Sequence, residues 1–136
     1  MEIISSVQNS LIKSVVKLQS TKGRKEALQF IAEGQRACTA FIENGYDPVF
    51  VFVTETVQNL PEQLEDLEIT LVSGPVMKKI SNAVNPSGFL AVFEIPQNPT
   101  FTELTPGLVL ANIADPGNMG TLIRSCAAFG YKSVVV

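Results

Sequence analysis

Histidine is absent from this chain of 136 residues, and cysteine occurs only twice. Without histidine the chain has neither Ser-His-Asp nor Cys-His catalysis, and it lacks the usual general base at neutral pH. Cys38 and Cys126 alone cannot build a usual zinc site, so we expect no metal and two reduced core cysteines. Any chemistry must therefore come from other polar side chains, backbone dipoles or a bound cofactor.

Long hydrophobic runs are also missing. No apolar stretch approaches the roughly 18 residues that a membrane-spanning helix needs, and the first six residues lack the core of a signal peptide. Hydrophobic residues make up 46% of the chain and charged residues 17%, which are globular values. These absences predict a cytoplasmic protein without membrane contact.

The net charge of −3 hides an uneven distribution. Residues 1–36 hold six cations against three acids, whereas residues 37–136 hold four cations against ten acids. A locally basic face on an acidic protein suits a polyanionic partner, although a solvated helix face has the same composition. Lys78 and Lys79 are interpreted as solvent-exposed. The candidate contacts for a polyanion are Lys13, Lys17, Lys22, Arg24, Lys25 and Arg36.

Apolar periodicity predicts an α/β chain. Asn9 or Ser10 caps a first helix that ends at Leu18, and Asn44-Gly45 ends a helix over 35–43. Residues 20–24 are predicted to be a loop, and residues 26–31 a helical turn that enters a short strand. Pro61 is predicted to open a further short helix. The remaining predicted elements are a helix over 76–80 and strands over 49–53, 69–72, 89–95, 108–111 and 133–136.

Three prolines punctuate an extended stretch after the third of these strands, at Pro96, Pro99 and Pro106. This composition predicts a linker over 97–106. The chain before it, residues 1–96, has the size of a small α/β domain. Residues 107–136 read as strand, loop, helix and strand, which is a βαβ unit whose ligand is expected beyond the carboxyl end of the first strand.

The loop of this βαβ unit is the most informative segment. Asp115-Pro116-Gly117 predicts a tight turn, and Gly117 and Gly120 allow the backbone to approach a ligand closely. The amides of residues 118–121 would then form an anion-attracting helix N-terminus. Arg124 follows among mostly apolar neighbours, so it is expected to be buried and to need an anionic or carbonyl partner.

Spacing alone leaves other interpretations open. The same residues suit an ordinary turn between a strand and a helix, with Arg124 paired to a nearby carboxylate. The glycine spacing does not match the dinucleotide fingerprint, and no Walker lysine follows. A nucleotide-binding fragment that uses the Gly117–Gly120 loop remains a further alternative.

The segment from Asp115 to Thr121, with Arg124 and then Ala128-Phe129-Gly130, resembles the first signature motif of the SpoU (TrmH-like) RNA ribose methyltransferases of the SPOUT superfamily. Three upstream segments resemble the small substrate-binding domain that precedes the catalytic domain in many members. These segments are Asn9 to Lys13, Arg24 to Gly34, and Ile80 to Gly88.

The resemblance implies transfer of a methyl group from S-adenosylmethionine to a ribose 2′-hydroxyl of rRNA or tRNA. It implies a three-layer α/β/α RNA-binding domain similar to the ribosomal kink-turn-binding fold, followed by the first βαβ unit of a trefoil-knotted domain. It further implies a homodimer through the C-terminal part and active-site positions for Asn118 and Arg124. With RNA as the polyanion, the six cations named above are the expected RNA contacts. Because guanidinium is a poor base, phosphate clamping and alkoxide stabilisation suit Arg124 better than proton abstraction.

The second and third motifs of the family, which form the cofactor-binding loops, are not in this sequence. We therefore expect no cofactor-binding residue here and no methylation by this chain alone, with S-adenosylmethionine serving the parent protein. The alternative hypothesis is a non-catalytic RNA-binding module.

Overall fold

The computed structural model describes residues 3–57, 60, 62–65, 67–97 and 105–136, with only the backbone given at 63 and 65. The chain divides into two compact units, Met1–Pro96, called unit 1, and Gln97–Val136, called unit 2. Most of the predicted linker over 97–106, including Pro99, lies outside the described residues, as does Pro61.

Unit 1 starts with two helices and then alternates strands and helices. The elements are α1 (Ser10–Lys17), α2 (Thr21–Ala27), β1 (Gln29–Glu33), α3 (Gln35–Glu43), β2 (Pro48–Val53), α4 (Glu62–Glu65), β3 (Ile69–Leu71), α5 (Gly74–Ile80) and β4 (Phe89–Glu94). The sheet order is β1-β4-β2-β3, with β2 parallel to β3 and the two other pairs antiparallel.

The central strand β4 shows why the unit has three layers. Successive side chains of a strand point to opposite faces, and every residue from Phe89 to Phe93 is buried. Leu90 and Val92 pack with α1 and α5 on one face, whereas Phe89, Ala91 and Phe93 pack with α3 and α4 on the other. Two apolar faces on one sheet require helices on both sides, which gives an α/β/α sandwich.

The first helix and the third begin and end where local signals predict. The Asn9 side chain accepts a hydrogen bond from the Leu11 amide at 2.9 Å and so caps α1. Gly34 precedes α3 with a φ of 85°, and Gly45 follows it with a φ of 83°. These left-handed conformations suit glycine, so Glu33-Gly34 is a structural lead-in to α3.

The loop predicted over 20–24 is wrong, because residues 21–27 form α2. Ser20 caps this helix by accepting from the Gly23 amide at 3.0 Å, and it donates to the Lys17 carbonyl at 3.0 Å. A Cβ on Gly23 would collide with that same Lys17 carbonyl. Gly23 therefore lets α2 start directly against the end of α1, whereas in sequence a glycine here suggests a loop.

Unit 2 contains β5 (Gly107–Val109), α6 (Pro116–Ala128) and β6 (Ser133–Val135). The two strands pair in parallel, with Leu108 opposite Val134. This β-α-β order is the one predicted for residues 107–136. Across the described residues of both units, no helix combines the length and apolarity needed to cross a bilayer.

Candidate functional site

The loop before α6 does not form the predicted tight turn, because the helix already starts at Pro116. Asp115 is the N-cap, and its carboxylate accepts from the Asn118 amide at 2.7 Å. Proline suits the first helical position, since its missing N–H would have no helical partner there. The sequence Asp-Pro-Gly therefore starts a helix, and the Asp115 carboxylate caps that helix where a tight turn is predicted.

This capping changes the expectation of an anion site at the start of α6. The Asn118 amide is satisfied by the Asp115 side chain, and the Met119 amide donates to the Asp115 carbonyl at 3.1 Å. A carboxylate at a helix N-terminus also neutralises the positive end of the helix dipole. The backbone amides of residues 118 and 119 are thus already engaged within the first turn of the helix.

The expected burial of Arg124 is wrong, because its side chain is exposed. Its Nη2 atom donates to Thr121 Oγ1 at 3.3 Å, and Thr121 Oγ1 donates to the Gly117 carbonyl at 2.9 Å. Among the described residues, no carboxylate forms an ion pair with Arg124, which argues against the structural interpretation of a paired arginine. The guanidinium is thus free to meet an anionic ligand.

The exposed face of α6 leaves space beside Arg124. Side chains on a helix tilt towards its N-terminus, so Arg124 extends over the preceding turns, where Thr121 and the two glycines lie. A Cβ at Gly120 would meet nothing within 4 Å, and at Gly117 it would meet only Asp115 Oδ1 at 3.1 Å. The glycines therefore place no side chain on this face, and Asn118 is exposed near the start of the helix.

Of the six basic candidates in unit 1, four are exposed and form no ion pair within the described part of the chain: Lys13, Lys17, Lys25 and Arg36. On α1, the buried Ile12 and Val15 face the core. Lys13 and Lys17 lie one turn apart on the opposite, solvent side. The structure therefore leaves these four side chains available to a polyanion.

Lys22 and Arg24 have partners within unit 1. Lys22 Nζ lies 3.8 Å from Glu26 Oε1, one turn along α2. The Arg24 guanidinium donates to the carbonyls of Leu18 and Gln19, both at 3.1 Å, and Arg24 is half-buried. Arg24 thus satisfies carbonyls at the end of α1, which gives this cation a structural task that charge counting does not show.

A set of polar contacts that sequence reasoning missed ties α1, α5 and β1 together. Gln19 Nε2 donates to the carbonyls of Lys79 and Ser81, at 2.9 and 3.2 Å. The Glu33 carboxylate accepts from Ser81 Oγ and from the Asn82 amide, both at 2.6 Å. These contacts fix the segment that follows α5, and only the three-dimensional proximity of residues 48 to 62 positions apart reveals them.

The two cysteines, Cys38 and Cys126, are free and buried. Burial raises the pKa of the Cys38 thiol to about 11, so the reactive thiolate is not available at neutral pH. Within the described residues no group of histidine, cysteine and acidic side chains could hold a metal ion.

Comparisons with known proteins bear on both units. The family model described as the MRM3-like substrate binding domain matches residues 9–91. An uncharacterized tRNA/rRNA methyltransferase of Synechocystis is 34% identical over 141 aligned positions, which cover 96% of this chain and 51% of that protein. The chain thus spans about half the length of this curated relative.

Solved structures show the same fold. A crystal structure of an RNA 2′-O ribose methyltransferase matches 98% of this chain and 54% of its own, with a TM-score of 0.79 and 32% identity. The SpoU methyltransferase AviRb of Streptomyces viridochromogenes, in complex with AdoMet, matches 94% and 51%, with a TM-score of 0.75 and 20% identity. The mixed α/β fold of this chain is therefore that of the first half of these enzymes.

Proposed function

Because the chain belongs to the family with the MRM3-like substrate-binding domain, within the SpoU (TrmH-like) methyltransferases, we propose that it supplies RNA binding and the first active-site motif of an RNA 2′-O-methyltransferase. The full-length protein would transfer a methyl group from S-adenosylmethionine to a ribose 2′-hydroxyl of rRNA or tRNA. The single observation that carries the proposal is the match of the substrate-binding model to residues 9–91.

In this proposal, unit 1 binds the RNA substrate. Four of the candidate cations, Lys13, Lys17, Lys25 and Arg36, are exposed and available for phosphate contacts. Lys22 forms an ion pair with Glu26, and the Arg24 guanidinium donates to a carbonyl at the end of α1. We therefore expect these two cations to contribute less to RNA binding than the other four. Domain boundaries at 1–96, 97–106 and 107–136 are part of the proposal, and the division between Pro96 and Gln97 supports the first of them.

Unit 2 would present Asn118 and Arg124 to the reacting ribose and its phosphate. The open face of α6 beside Gly120 leaves room for the nucleotide, and the unpaired Arg124 guanidinium suits bidentate phosphate binding. The same guanidinium would stabilise negative charge that develops on the 2′-oxygen. The side-chain amide of Asn118 both donates and accepts hydrogen bonds, which suits a ribose hydroxyl.

S-adenosylmethionine would supply the methyl group. The residues that bind it are expected in the second and third motifs of the family, which are not in this sequence. AdoMet in the structural neighbour AviRb supports the choice of cofactor. The trefoil knot, the homodimer and the cytoplasmic location are further parts of the proposal, and sedimentation of the full-length protein would test the dimer.

The proposal is tested with the full-length protein, tritiated S-adenosylmethionine and deproteinised ribosomal and transfer RNA. We expect label at a 2′-O-methyl nucleotide, which resists alkaline hydrolysis. Arg124→Ala should lower kcat by about a hundredfold to a thousandfold, the usual loss for one donor to a developing oxyanion. Arg124→Lys should recover only part of the rate, because lysine lacks the planar fork.

Lys132→Ala is the matched control, since Lys132 is an exposed cation of unit 2 outside α6. Its rate should stay within about twofold of the wild type, as expected for surface substitutions. Absence of methyl transfer to every RNA would refute the enzymatic function. An Arg124→Ala protein with full activity would refute only the role of Arg124.

A non-catalytic RNA-binding module is the second candidate, and the closed two-sided core of unit 1 favours it for the chain by itself. Titration of this chain with RNA at two salt concentrations tests it. Phosphate contacts from four lysine or arginine side chains should give a steep loss of affinity as salt rises. No binding at low salt would reject this candidate.

A further inference from the structure

A groove lies in unit 1 between the turn that follows β2, the start of α5 and the segment that leads into β4. Its volume is about 320 Å³. We call it the β2–α5 groove, and the polar and proline residues of its lining include Glu55, Thr56, Ser73, Lys78 and Pro86. None of the six basic candidates of unit 1 lines it.

The walls of the groove are held in place before any ligand arrives. The Thr54 amide donates to the Gly88 carbonyl at 2.9 Å, and the hydroxyls of Thr54 and Thr56 lie 2.7 Å apart. Gly88 has a φ of 81°, and a Cβ there would clash with Thr54 Oγ1. Close approach of the two segments thus depends on this glycine, and the groove is preformed, as ligand sites usually are.

A buried hydroxyl marks the groove as unusual. Ser73 Oγ is inaccessible and has no hydrogen-bond partner among the described residues. It precedes α5 but makes no capping hydrogen bond. Buried polar atoms without a partner are rare in folded proteins because they destabilise the fold, so each calls for an explanation. Ser73 lines the groove, so rotation of its side chain would let Oγ meet a ligand that is bound there.

The chemistry of the lining points to one nucleotide. Pro86 supplies apolar surface, and the buried Val72 and Met77 lie beneath. The Glu55 carboxylate can accept from an exocyclic amino group of a base, and Lys78 can contact a phosphate. A volume near the lower end of the usual range, about 300–1,000 Å³, excludes a duplex and admits a single unstacked base.

We propose that the β2–α5 groove binds one unpaired nucleotide of the RNA substrate, with the base against Pro86 and the phosphate at Lys78. This inference rests on the proposed function, because the matched substrate-binding model, residues 9–91, contains the whole groove. It assigns base recognition to the groove. The other phosphate contacts are assigned to the exposed cations Lys13, Lys17, Lys25 and Arg36.

Two buried hydroxyls offer a matched pair of variants. Thr39 Oγ1 is also buried without a partner among the described residues, but Thr39 does not line the groove. Ser73→Ala and Thr39→Ala should both leave the melting temperature unchanged or slightly raised. Only Ser73→Ala should weaken RNA binding, by about threefold to tenfold, which is the loss expected for one hydrogen bond.

Two adjacent lysines offer a second matched pair. Lys78 and Lys79 are both exposed on α5, but only Lys78 lines the groove. Lys78→Ala should weaken binding and reduce the slope of log K against log salt by about 0.7, the value for one phosphate contact on a single strand. Lys79→Ala should leave that slope unchanged.

The probes are RNA hairpins with a randomised unpaired loop and a fully paired RNA duplex of the same stem, each titrated with this chain. We expect tighter binding of the hairpins, and cross-links from 4-thiouridine in the loop to residues 54–56 or 86–88. Equal binding of both probes, with Ser73→Ala and Lys78→Ala unaltered, would overturn the groove while the proposed function stands. No binding of either probe at low salt would instead refute RNA binding by the chain.

Discussion

Unit 1 and unit 2 differ in how completely each buries its apolar side chains. Among the described residues, every buried apolar side chain except Cys126 belongs to unit 1. The unit 1 sheet is covered on both faces, whereas in unit 2 the side chains of Val109 and Phe129 are 77% and 79% exposed. Since parallel strands are normally buried on both faces, unit 1 has the core of an independent domain and unit 2 does not.

The largest expected effect is a difference in the free energy of unfolding between two Phe→Ala variants, one in each unit. Phe93→Ala in unit 1 removes a ring that is fully buried and packs on Phe30 and Phe41, so the free energy of unfolding should fall by about 3–5 kcal/mol. Phe129→Ala in unit 2 removes a ring that is mostly exposed, and should change it by less than about 0.5 kcal/mol. Urea unfolding followed by circular dichroism measures both. Comparable losses from the two substitutions would contradict the contrast between the units.

The labelling rates of the two cysteines compare the local opening of unit 1 and unit 2 in the native state, because each unit contains one cysteine. Cys38 and Cys126 are exposed by no more than 1%, so a thiol reagent reaches either one only after local opening. We expect Cys126 to react at least about a hundredfold faster, equivalent to about 2.8 kcal/mol at roughly 1.4 kcal/mol per tenfold.

Mass spectrometry of the Cys38→Ala and Cys126→Ala variants assigns each labelling rate to one site. Labelling in denaturant is the control for intrinsic reactivity, and there the two rates should converge. If the rates in native buffer were equal, the two units would open together and would not be separate folding units.

The smallest expected effect comes from two glycines in helices. Gly23→Ala should destabilise unit 1 by about 1–3 kcal/mol, because the new methyl group meets the Lys17 carbonyl, a backbone atom that cannot move easily. Gly120→Ala should stabilise α6 by about 0.5–1 kcal/mol, since its Cβ meets nothing within 4 Å and alanine favours a helix. Thermal melts of both variants show whether the melting temperature falls or rises.

Gly120→Ala is also expected to change stability and methyl transfer in opposite directions. If α6 presents its open face to a nucleotide, the added methyl group should lower methyl transfer by the full-length protein although the fold gains stability. Unchanged transfer would show that RNA does not approach α6 at this position. A stabilised Gly23→Ala protein would contradict the close contact between α1 and α2.

Local signals in the sequence predicted much of the fold. The strand β4, the cap at Asn9 and the stop at Gly45 all appear where expected, because each depends on residues within a few positions of one another. The prediction is wrong at α2 and at the start of α6. Glycine and proline favour loops at Gly23 and Pro116, but Gly23 allows a close contact between α1 and α2, and Pro116 opens a helix.

The sequence predicted which residues belong to the candidate site better than it predicted how these residues are arranged. Asn118 and Arg124 were identified from the motif, and both now lie exposed on α6. The burial of Arg124 was inferred from apolar neighbours in sequence, but those neighbours alternate around a helix and do not enclose it. The roles of these residues remain predictions.

The sequence by itself determined the α/β class, the family and the basic N-terminal segment, because periodicity, motif and charge are written in consecutive residues. Only the tertiary structure decided that Arg24 serves the end of α1, that Glu33 holds Ser81, and that Ser73 lies beside a groove. Each of these depends on where the partner lies in space. The energy of a hydrogen bond or a collision depends on distance and desolvation, which the order of residues does not reveal.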